Sequence, residues 1–194
     1  MSDSKLSSHA KTNESMLGKW DGWYKDVKDI GSFKYGNAVT YQLAADFLAD
    51  MPEVEDWGCG TGGFKRFYHG KYTGLDGSVN PFVDKVVDLR SYRSNVDGIV
   101  MRHVLEHNYD WRDVLENAVA SFKKKFCLII FTPFNNATTE IAHEKGHGVD
   151  VPTIGFKRGD IEEYLKGLDW QLEDNIKTRT FYKMEHVYYV QKSA

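Results

Sequence analysis

The sequence predicts an α/β fold in which helices pack on both sides of a mostly parallel β-sheet. Three observations support this prediction. Short apolar segments typical of strands alternate with segments of helical period along most of the chain. Residues 126–131 (FCLIIF) are apolar throughout, as expected for a strand buried on both faces of a parallel sheet. Residues 170–182 and 183–191 alternate apolar and polar side chains, which indicates a terminal antiparallel pair.

The composition argues against several classes of protein, among them cationic nucleic-acid binders, disulfide-rich proteins and membrane proteins. A length of 194 residues suits one domain. The 25 Lys and Arg against 28 Asp and Glu give a net charge of −3, which argues against a nucleic-acid binder that relies on a strongly cationic surface. Cys59 and Cys127 are too few for a disulfide scaffold or a cysteine-rich zinc site. Because no apolar run could span a bilayer and the N-terminus lacks a secretory signal, we expect a cytoplasmic protein without membrane association.

The N-terminal part divides into a polar tail and an aromatic segment. Residues 1–15 are nearly devoid of apolar side chains, so we expect a disordered tail. Residues 16–36 are rich in aromatics and glycine, and Trp20, Trp23 and Tyr24 would share one face of a short helix. This segment is interpreted as a lid over a ligand, with a hydrophobic flap packed on the core as the alternative. The main domain is assigned to residues 37–194.

The first half of this domain contains one complete helix and four strands. Residues 37–51 carry apolar side chains at helical spacing, and Pro52 ends that helix. A strand over residues 54–57 runs into a glycine-rich turn, after which a second helix is expected to begin at Phe64. Three more strands follow at residues 71–75, 83–89 and 96–101.

The second half completes the alternation of helix and strand. Residues 111–122 form an amphipathic helix, and the strand at residues 126–131 ends at Pro133. Residues 135–159 form a long irregular segment with several histidines and glycines, which we assign as a loop on the acceptor side of the site, since loops of this length are usually functional or mobile. A short helix is expected within residues 159–168.

The segment EDWGCGTGG (residues 55–63) carries the most functional information. Glycines at a strand-to-helix turn let the backbone approach a ligand closely. Asp76 follows Gly58 by eighteen residues, at the end of the next strand, where a carboxylate can accept hydrogen bonds from both hydroxyls of a ribose. Asp56 and Asp88 end the strands on either side of this position in the sequence. This pattern predicts a nucleotide-type ligand across the ends of the first strands.

Two cofactor classes fit this pattern. Gly58-x-Gly60-x-x-Gly63 satisfies the fingerprint of NAD-binding proteins. However, a carboxylate at Asp56 would oppose a pyrophosphate and favour an ammonium group. S-adenosylmethionine carries an ammonium, a sulfonium and no phosphate, so Asp56 favours S-adenosylmethionine over NAD. Asp88 adds an acceptor suited to the exocyclic amine of adenine.

The order of these motifs resembles class I S-adenosylmethionine-dependent methyltransferases. EDWGCGTGG is similar to their first motif, and YTGLDGS to their ribose-binding second strand. VDGIVMRHVLEH resembles the fourth-strand segment of the branch that methylates small molecules, quinones and sugars. The resemblance runs from about Ala38 to Phe134. It implies a Rossmann-like three-layer sandwich with a seven-stranded sheet, in which the last strand is inserted antiparallel.

The resemblance also implies binding roles for particular residues. Asp56, Gly58, Gly60 and the backbone of Met101 would hold the methionine end. Asp76 would hold the ribose, and Asp88 with the Leu89 backbone the adenine. The wider set of candidate cofactor-binding residues adds Trp20, Tyr24, Cys59 and Gly77.

Histidines supply the candidate catalytic bases. A hydroxyl acceptor needs a base, whereas an amine or thiolate acceptor can react without one. His103 and His107 follow the fourth strand, and His103 is the preferred candidate because it is nearer the strand end. His143 lies in HEKGH (residues 143–147), which spells a zinc-protease motif, but its glycines and the following Pro152 disfavour the required helix. We therefore expect no metal site and treat His143 as a third candidate base.

These observations predict an S-adenosylmethionine-dependent methyltransferase that acts on a small molecule or saccharide, through O-methylation. The chain lacks the Asn/Asp-Pro-Pro-Tyr/Phe sequence after the fourth strand that, in this family, grips planar amines, which also disfavours nucleic-acid methylation. Two alternatives remain open at this stage. One is an NAD-dependent oxidoreductase, and the other is a non-catalytic S-adenosylmethionine-binding subunit of a larger complex.

Overall fold

The computed structural model describes residues 17–25 and 38–193 of the chain. The tail predicted for residues 1–15 and the second part of the aromatic segment, residues 26–36, lie outside the described residues. None of the helices in the described ranges has the length and apolarity needed to cross a membrane.

Seven strands form the main sheet, and two more form a separate hairpin. The main-sheet strands are β1 (Glu53–Trp57), β2 (Lys71–Asp76), β3 (Lys85–Val86), β4 (Val96–Arg102), β5 (Phe122–Ile130), β8 (Asp169–Lys177) and β9 (Met184–Gln191). The hairpin strands are β6 (Thr139–Gly146) and β7 (Val149–Gly155). The helices are α1 (Asp21–Tyr24), α2 (Val39–Phe47), α3 (Trp111–Ser121) and α4 (Arg158–Glu162), with single 3-10 turns at Phe64–Arg66, Leu105–His107 and Glu163–Leu165.

The main sheet has the strand order β3-β2-β1-β4-β5-β9-β8. Strands β1 to β5 run parallel, and β9 runs antiparallel between β5 and β8. The predicted mostly parallel sheet with an antiparallel terminal pair is therefore confirmed. Because β9 is reversed, its first residues lie beside the last residues of β5, with Ile130 paired to His186.

Both faces of the sheet are covered, which gives the Rossmann-like three-layer arrangement. On one face, Ile99 and Met101 of β4 pack in a core with Leu115 of α3. Val100 of β4 points to the opposite face, where it packs in a second core with Ala44 of α2. This alternation is the period of two expected of a strand, and burial on both faces explains the continuous apolar sequence of the central strands.

Two predicted elements are shorter than expected. The helix predicted from Phe64 is a single 3-10 turn, because Phe64 stacks on Tyr68 at 5.7 Å and the Tyr68 hydroxyl donates to the Met51 carbonyl oxygen at 2.5 Å. These contacts fix the chain within one turn, shortly before β2 begins. The strand predicted at residues 83–89 shortens to two residues, since only Leu75 and Asp76 of the neighbouring strand pair with it.

The prediction of an irregular segment at residues 135–159 is wrong. Most of it is the β6–β7 hairpin, whose turn contains Gly146, His147 and Gly148, all with positive φ. Those backbone conformations suit glycine and close a hairpin, and they are incompatible with a helix. The HEKGH motif therefore lies on a strand and its turn.

A buried polar cluster joins three elements at the ends of the parallel strands. One oxygen of Glu185, Oε1, accepts from Thr40 Oγ1 at 3.1 Å, from Arg102 Nε at 3.0 Å and from His103 Nε2 at 2.5 Å. The Arg102 guanidinium also stacks on the Tyr41 ring at 4.3 Å. Burial alone would raise the pKa of Glu185, but the His103 hydrogen bond and the Arg102 charge hold it below its ordinary value. The cluster ties α2 and β4 to the reversed strand β9.

We expect Glu185→Ala to lower the free energy of unfolding by about 3–5 kcal/mol, because it leaves Arg102 buried without its counter-charge. Urea unfolding followed by circular dichroism measures this change. The matched control is Glu173→Ala, which removes an exposed glutamate of β8 that accepts from the Tyr189 hydroxyl at 2.9 Å. The control should change stability by less than about 1 kcal/mol. Equal effects of the two variants would contradict the role assigned to the cluster.

Candidate functional site

A cavity of about 630 Å³ opens at the carboxyl ends of the parallel strands. This volume falls within the ~300–1,000 Å³ range of small-molecule sites. Its walls come from the glycine turn after β1, the end of β2, the segment after β4, the β6–β7 hairpin and the loop before β9. The candidate residues that line it are Trp20, Tyr24, Gly58, Cys59, Gly60, Asp76, Gly77, Leu89, His103 and His107.

The glycine turn is closely packed, and most of its glycine and cysteine amides donate hydrogen bonds to acceptors within the protein. Gly58 has φ +76°, and a Cβ added there would lie 2.3 Å from Cγ2 of Val104. The amides of Gly58 and Cys59 both donate to the Leu75 carbonyl oxygen, at 2.8 and 2.9 Å. The Gly60 amide donates to Asp76 Oδ2 at 2.9 Å, and the Gly62 amide donates to the Cys59 carbonyl oxygen. The turn is therefore fixed by internal hydrogen bonds.

Asp76 is the strand-end acid that reaches the cavity. Its Oδ1 accepts from the Ser78 amide and its Oδ2 from the Gly60 amide, each at 2.9 Å. A carboxylate can accept about four hydrogen bonds, so with a further contribution from the Gly77 amide the Asp76 carboxylate still retains acceptor capacity for a ligand. Burial raises the pKa of Asp76, while its backbone hydrogen bonds oppose that shift.

The other two strand-end acids have protein partners instead. The Asp56 carboxylate accepts from the Tyr72 hydroxyl at 2.9 Å and lies behind the cavity wall, where burial raises its pKa to about 7. Asp88 is held by Arg90, with 2.7 Å between Oδ2 and Nη2, and its side chain is not part of the wall. Met101 is fully buried in the core. The structure thus brings only Asp76 of the three acids to the cavity wall, with Asp56 close enough behind it that the Asp76 charge helps to raise the pKa of Asp56.

The described part of the aromatic segment closes one side of the cavity. The Gly18 amide donates to the Gly77 carbonyl oxygen at 2.7 Å, and the Trp20 amide donates to Ser78 Oγ at 2.8 Å. On the other side, Gly22 packs on the hairpin turn so closely that a Cβ would lie 2.7 Å from the His147 carbonyl oxygen. Residues 17–25 therefore bridge the connection after β2 and the β6–β7 hairpin.

His103 is held by the buried cluster. Its backbone adopts φ +59°, an uncommon conformation for a residue with a side chain, and Nε2 contacts Glu185 as described above. Burial and the neighbouring Arg102 charge lower the pKa of His103 to about 3. The imidazole is therefore neutral at pH 7, and its Nε2–H donates to Glu185.

His107 has a different arrangement. Its Nδ1 lies 3.0 Å from the Pro152 carbonyl oxygen, which can only accept, so Nδ1 carries the proton and Nε2 carries the lone pair. Burial lowers the pKa of His107 to about 4. The ring packs against Trp20 at 5.1 Å and Phe131 at 5.5 Å, and no described residue hydrogen-bonds Nε2. His107 thus offers a neutral imidazole acceptor on the cavity wall.

The third candidate base, His143, lies outside the cavity lining. Its two ring nitrogens contact Glu140 Oε1 and Asp150 Oδ1, each at 2.5 Å, and these hydrogen bonds raise its pKa. Across residues 17–25 and 38–193, no group of three or more His, Cys, Asp or Glu side chains could hold a metal ion.

Several cavity residues were missed by the sequence analysis. They come from the last residue of β4, the residue after β5 and the loop before β9: Arg102, Phe131, Arg179, Phe181 and Tyr182. The position of Phe131 directly after a buried strand is a signal that could have identified it. The loop before β9 carries no such signal, because its place depends on the reversed strand.

Solved structures of methyltransferases share this fold. One is the Burkholderia thailandensis 1,6-didemethyltoxoflavin-N1-methyltransferase with bound 1,6-didemethyltoxoflavin and S-adenosylhomocysteine (14% identity, TM-score 0.62, covering 80% of this chain and 77% of that chain). Another is the magnesium protoporphyrin IX methyltransferase of Synechocystis PCC 6803 with bound S-adenosylhomocysteine (17% identity, TM-score 0.58, 80% of each chain). A third is a chain of the Haloferax volcanii complex that contains the Trm112 methyltransferase activator (15% identity, TM-score 0.58, 93% of this chain and 98% of that chain). No protein-family model and no curated protein sequence matches the chain.

The geometry predicts the protonation of His107. Nitrogen-15 NMR should show Nδ1 protonated at pH 7, and the ring should titrate well below the usual value of about 6.5. Since the folded-state pKa is lowered, the stability contributed by neutral His107 is complete above pH 6.5 and is lost as the pH falls toward about 4. His143 is the internal control and should titrate above its usual value. A His107 ring protonated on Nε2 would contradict the assignment.

Proposed function

We propose that the chain is an S-adenosylmethionine-dependent methyltransferase that methylates an oxygen atom of a small-molecule or saccharide acceptor. The observation that carries the proposal is Asp76, a buried carboxylate on the cavity wall beside a glycine turn whose amides are already bonded. A carboxylate at this position suits the two hydroxyls of a ribose. The solved methyltransferases of the same fold that contain S-adenosylhomocysteine support the same cofactor class.

The glycine turn disfavours NAD. A pyrophosphate binds at the N-terminus of a helix, where free amides and the helix dipole face the anion. Here a three-residue 3-10 turn follows the glycines, and the amides of Gly58, Cys59, Gly60 and Gly62 donate to protein oxygens. Four amides of the turn are therefore not free to bind a diphosphate. An adenosyl cofactor without phosphate requires none of them.

The residues present fit S-adenosylmethionine. Asp76 would accept from the ribose hydroxyls, and the apolar side chains of Val87 and Leu89 line the cavity where an adenine would pack. A Cβ at Gly58 would collide with Val104, and one at Gly60 with the Tyr24 hydroxyl, so glycine at these positions lets both cavity-lining side chains pack against the turn. When bound, S-adenosylmethionine supplies a methyl group activated by its sulfonium.

The chain itself supplies alignment, exclusion of water and a base. Positioning of the two reactants accounts for much of the acceleration in a displacement at carbon. His107 is the candidate base that the geometry favours, because its Nε2 lone pair is available to receive the acceptor's hydroxyl proton. His103 donates from Nε2 to Glu185 and is better suited to positioning the wall. The sequence favoured His103 as the base, and we now propose His107 instead.

A non-catalytic role in a complex is the second candidate function. The fold match to a chain of a complex between a methyltransferase activator and a putative methyltransferase supports association with a partner protein, and it does not bear on catalysis. Such a subunit would bind S-adenosylmethionine without turnover on any class of acceptor.

Asp76→Asn should weaken S-adenosylmethionine binding by about 1–3 kcal/mol, because the amide nitrogen replaces one acceptor that both the turn and the ribose use. Isothermal titration calorimetry measures the affinity, and the wild-type protein should show no heat with NAD. The control is Asp169→Asn, an exposed aspartate at the start of β8. Unchanged affinity in a folded Asp76→Asn protein would show that the ribose is held elsewhere.

His107→Gln should lower kcat by about 10²–10⁴-fold on a hydroxyl acceptor while leaving S-adenosylmethionine affinity unchanged, since a glutamine cannot accept a proton. The assay follows transfer of a labelled methyl group across phenol, catechol and sugar acceptors. His103→Gln is the matched comparison. It should lower the free energy of unfolding and should reduce kcat less than His107→Gln does. The opposite ranking would return the role of base to His103, and cofactor binding without turnover would favour the non-catalytic subunit.

A further inference from the structure

We infer that one part of the cavity binds a flat, apolar acceptor that carries an anionic group, a carboxylate or a phosphate. This part, called the acceptor half, is lined by His107, Phe131, Arg179, Phe181 and Tyr182. The inference deepens the proposed function and depends on it only for the reaction that follows binding. Three features of the described residues support it: the charge of the cavity wall, the loop that presents Arg179, and a row of aromatic rings.

The cavity wall has an excess of positive charge. It is lined by Lys19, Arg66, Arg102, Lys145 and Arg179, against Asp76 and Glu144. Glu185 neutralises Arg102, with 2.9 Å between Oε1 and Nη2, and Asp150 lies 3.6 Å from Lys145. Within the described part of the chain, the other three cations form no ion pair. Because the whole chain has a net charge of −3, this local excess is not a consequence of overall composition.

Sheet topology places Arg179 near the histidines. Strand β9 is antiparallel, so the loop that precedes it lies at the carboxyl ends of β4 and β5, where His103 and Phe131 directly follow their strands. The loop is closed by a hydrogen bond of 3.1 Å from the Thr178 amide to the Lys183 carbonyl oxygen. It therefore projects from the same edge of the sheet as the candidate base.

The loop also holds its side chains in fixed directions. Thr178 and Thr180 are buried, their hydroxyls lie 3.1 Å apart, and Thr180 Oγ1 donates to the Met184 carbonyl oxygen at 3.0 Å. Arg179 and Phe181 alternate with these threonines and are exposed at the cavity rim. Phe181 is 79% exposed, although phenylalanine is normally buried. An uncovered aromatic ring beside an unpaired guanidinium suits a ligand that has both an apolar face and a negative charge.

A row of rings connects this rim to the histidines. His107 and Phe131 have ring centroids 5.5 Å apart, Phe131 and Tyr182 are 6.0 Å apart, and Tyr182 and Phe181 are 5.1 Å apart. A planar acceptor can stack along such a row. Arg179 would then form paired hydrogen bonds to the anionic group at the outer end, as guanidinium does with carboxylate and phosphate. The reacting hydroxyl would lie at the inner end, near Nε2 of His107.

An uncharged saccharide fits this half of the cavity less well. A sugar ring presents many hydroxyls, and a site for it needs several side-chain acceptors to pair with them. The loop before β9 and the segments after β4 and β5 contribute aromatic rings, imidazoles and Arg179 to the wall, and among the described residues the only acidic side chains that line the cavity are Asp76 and Glu144. Within the broader class of small molecules and saccharides, the inference therefore selects an anionic aromatic acceptor.

The test is calorimetry of the full-length chain with four probes: benzoate, phenyl phosphate, benzamide and glucose. One or both anionic probes should bind about tenfold or more tightly than benzamide, since a hydrogen bond to a charged group contributes about 1.5–3 kcal/mol. The relative affinity of benzoate and phenyl phosphate distinguishes a carboxylate from a phosphate acceptor. Arg179→Gln should abolish the preference for the anion and leave benzamide binding unchanged, while Arg179→Lys should retain part of it.

The matched control is Arg93→Gln, which removes an exposed arginine that pairs with Glu116 at 3.6 Å and does not line the cavity. It should leave all four probe affinities unchanged. Equal binding of benzoate, phenyl phosphate and benzamide, a preference that survives Arg179→Gln, or no binding of either anion would overturn the inference. S-adenosylmethionine titration of the same variants is the separate measurement for the proposed function. If S-adenosylmethionine does not bind but the preference for anionic probes persists, the proposed methyltransferase function is wrong and the inferred anion site still stands.

Discussion

A single buried carboxylate, that of Glu185, organises the functional edge of this protein. Its Oε1 accepts from α2, from the end of β4 and from the residue after β4, while Glu185 itself belongs to the reversed strand β9. These contacts fix His103 in its left-handed conformation and leave Arg102 neutralised. They also link the start of β9, which pairs with β5, to the end of β4, so the loop with Arg179 is fixed relative to His107. A buried charge that loses its partner is strongly destabilising, which makes this arrangement hard to vary.

The main elements of the fold were predictable because their signals are local. β5 is apolar because it is buried within the sheet, and α3 has apolar residues at helical spacing because one of its faces packs on the sheet. Both patterns can be read from neighbouring residues in the sequence. The predicted helix after the glycine turn was wrong because the stacked rings of Phe64 and Tyr68 fix the chain within one turn. The β6–β7 hairpin was missed because β6 is exposed or half-buried throughout and β7 is buried along most of its length, so neither strand follows a simple alternation.

The site was predictable in position and only partly in composition. Strand ends locate the acids at one edge of the sheet, but which carboxylate reaches the cavity depends on its neighbours in space. Asp56 accepts a hydrogen bond from Tyr72 and Asp88 forms an ion pair with Arg90, whereas Asp76 lines the cavity. Glu185 follows Arg102 by 83 residues, and no motif in the sequence joins them. Long-range pairs of this kind are determined by topology rather than by a local pattern of residues.

The burial of His107 also limits the chemistry of the proposed base. Burial lowers the pKa of His107 to about 4, which keeps Nε2 unprotonated at pH 7 but makes it a weak acceptor of protons. General-base catalysis is efficient when the pKa values of donor and acceptor are not far apart. A phenolic hydroxyl, with a pKa of about 10 as in tyrosine, is a better partner for such a base than a less acidic alcohol. The low basicity of His107 and the aromatic row that ends at Arg179 therefore favour the same acceptor, an aromatic hydroxyl compound with a negative charge.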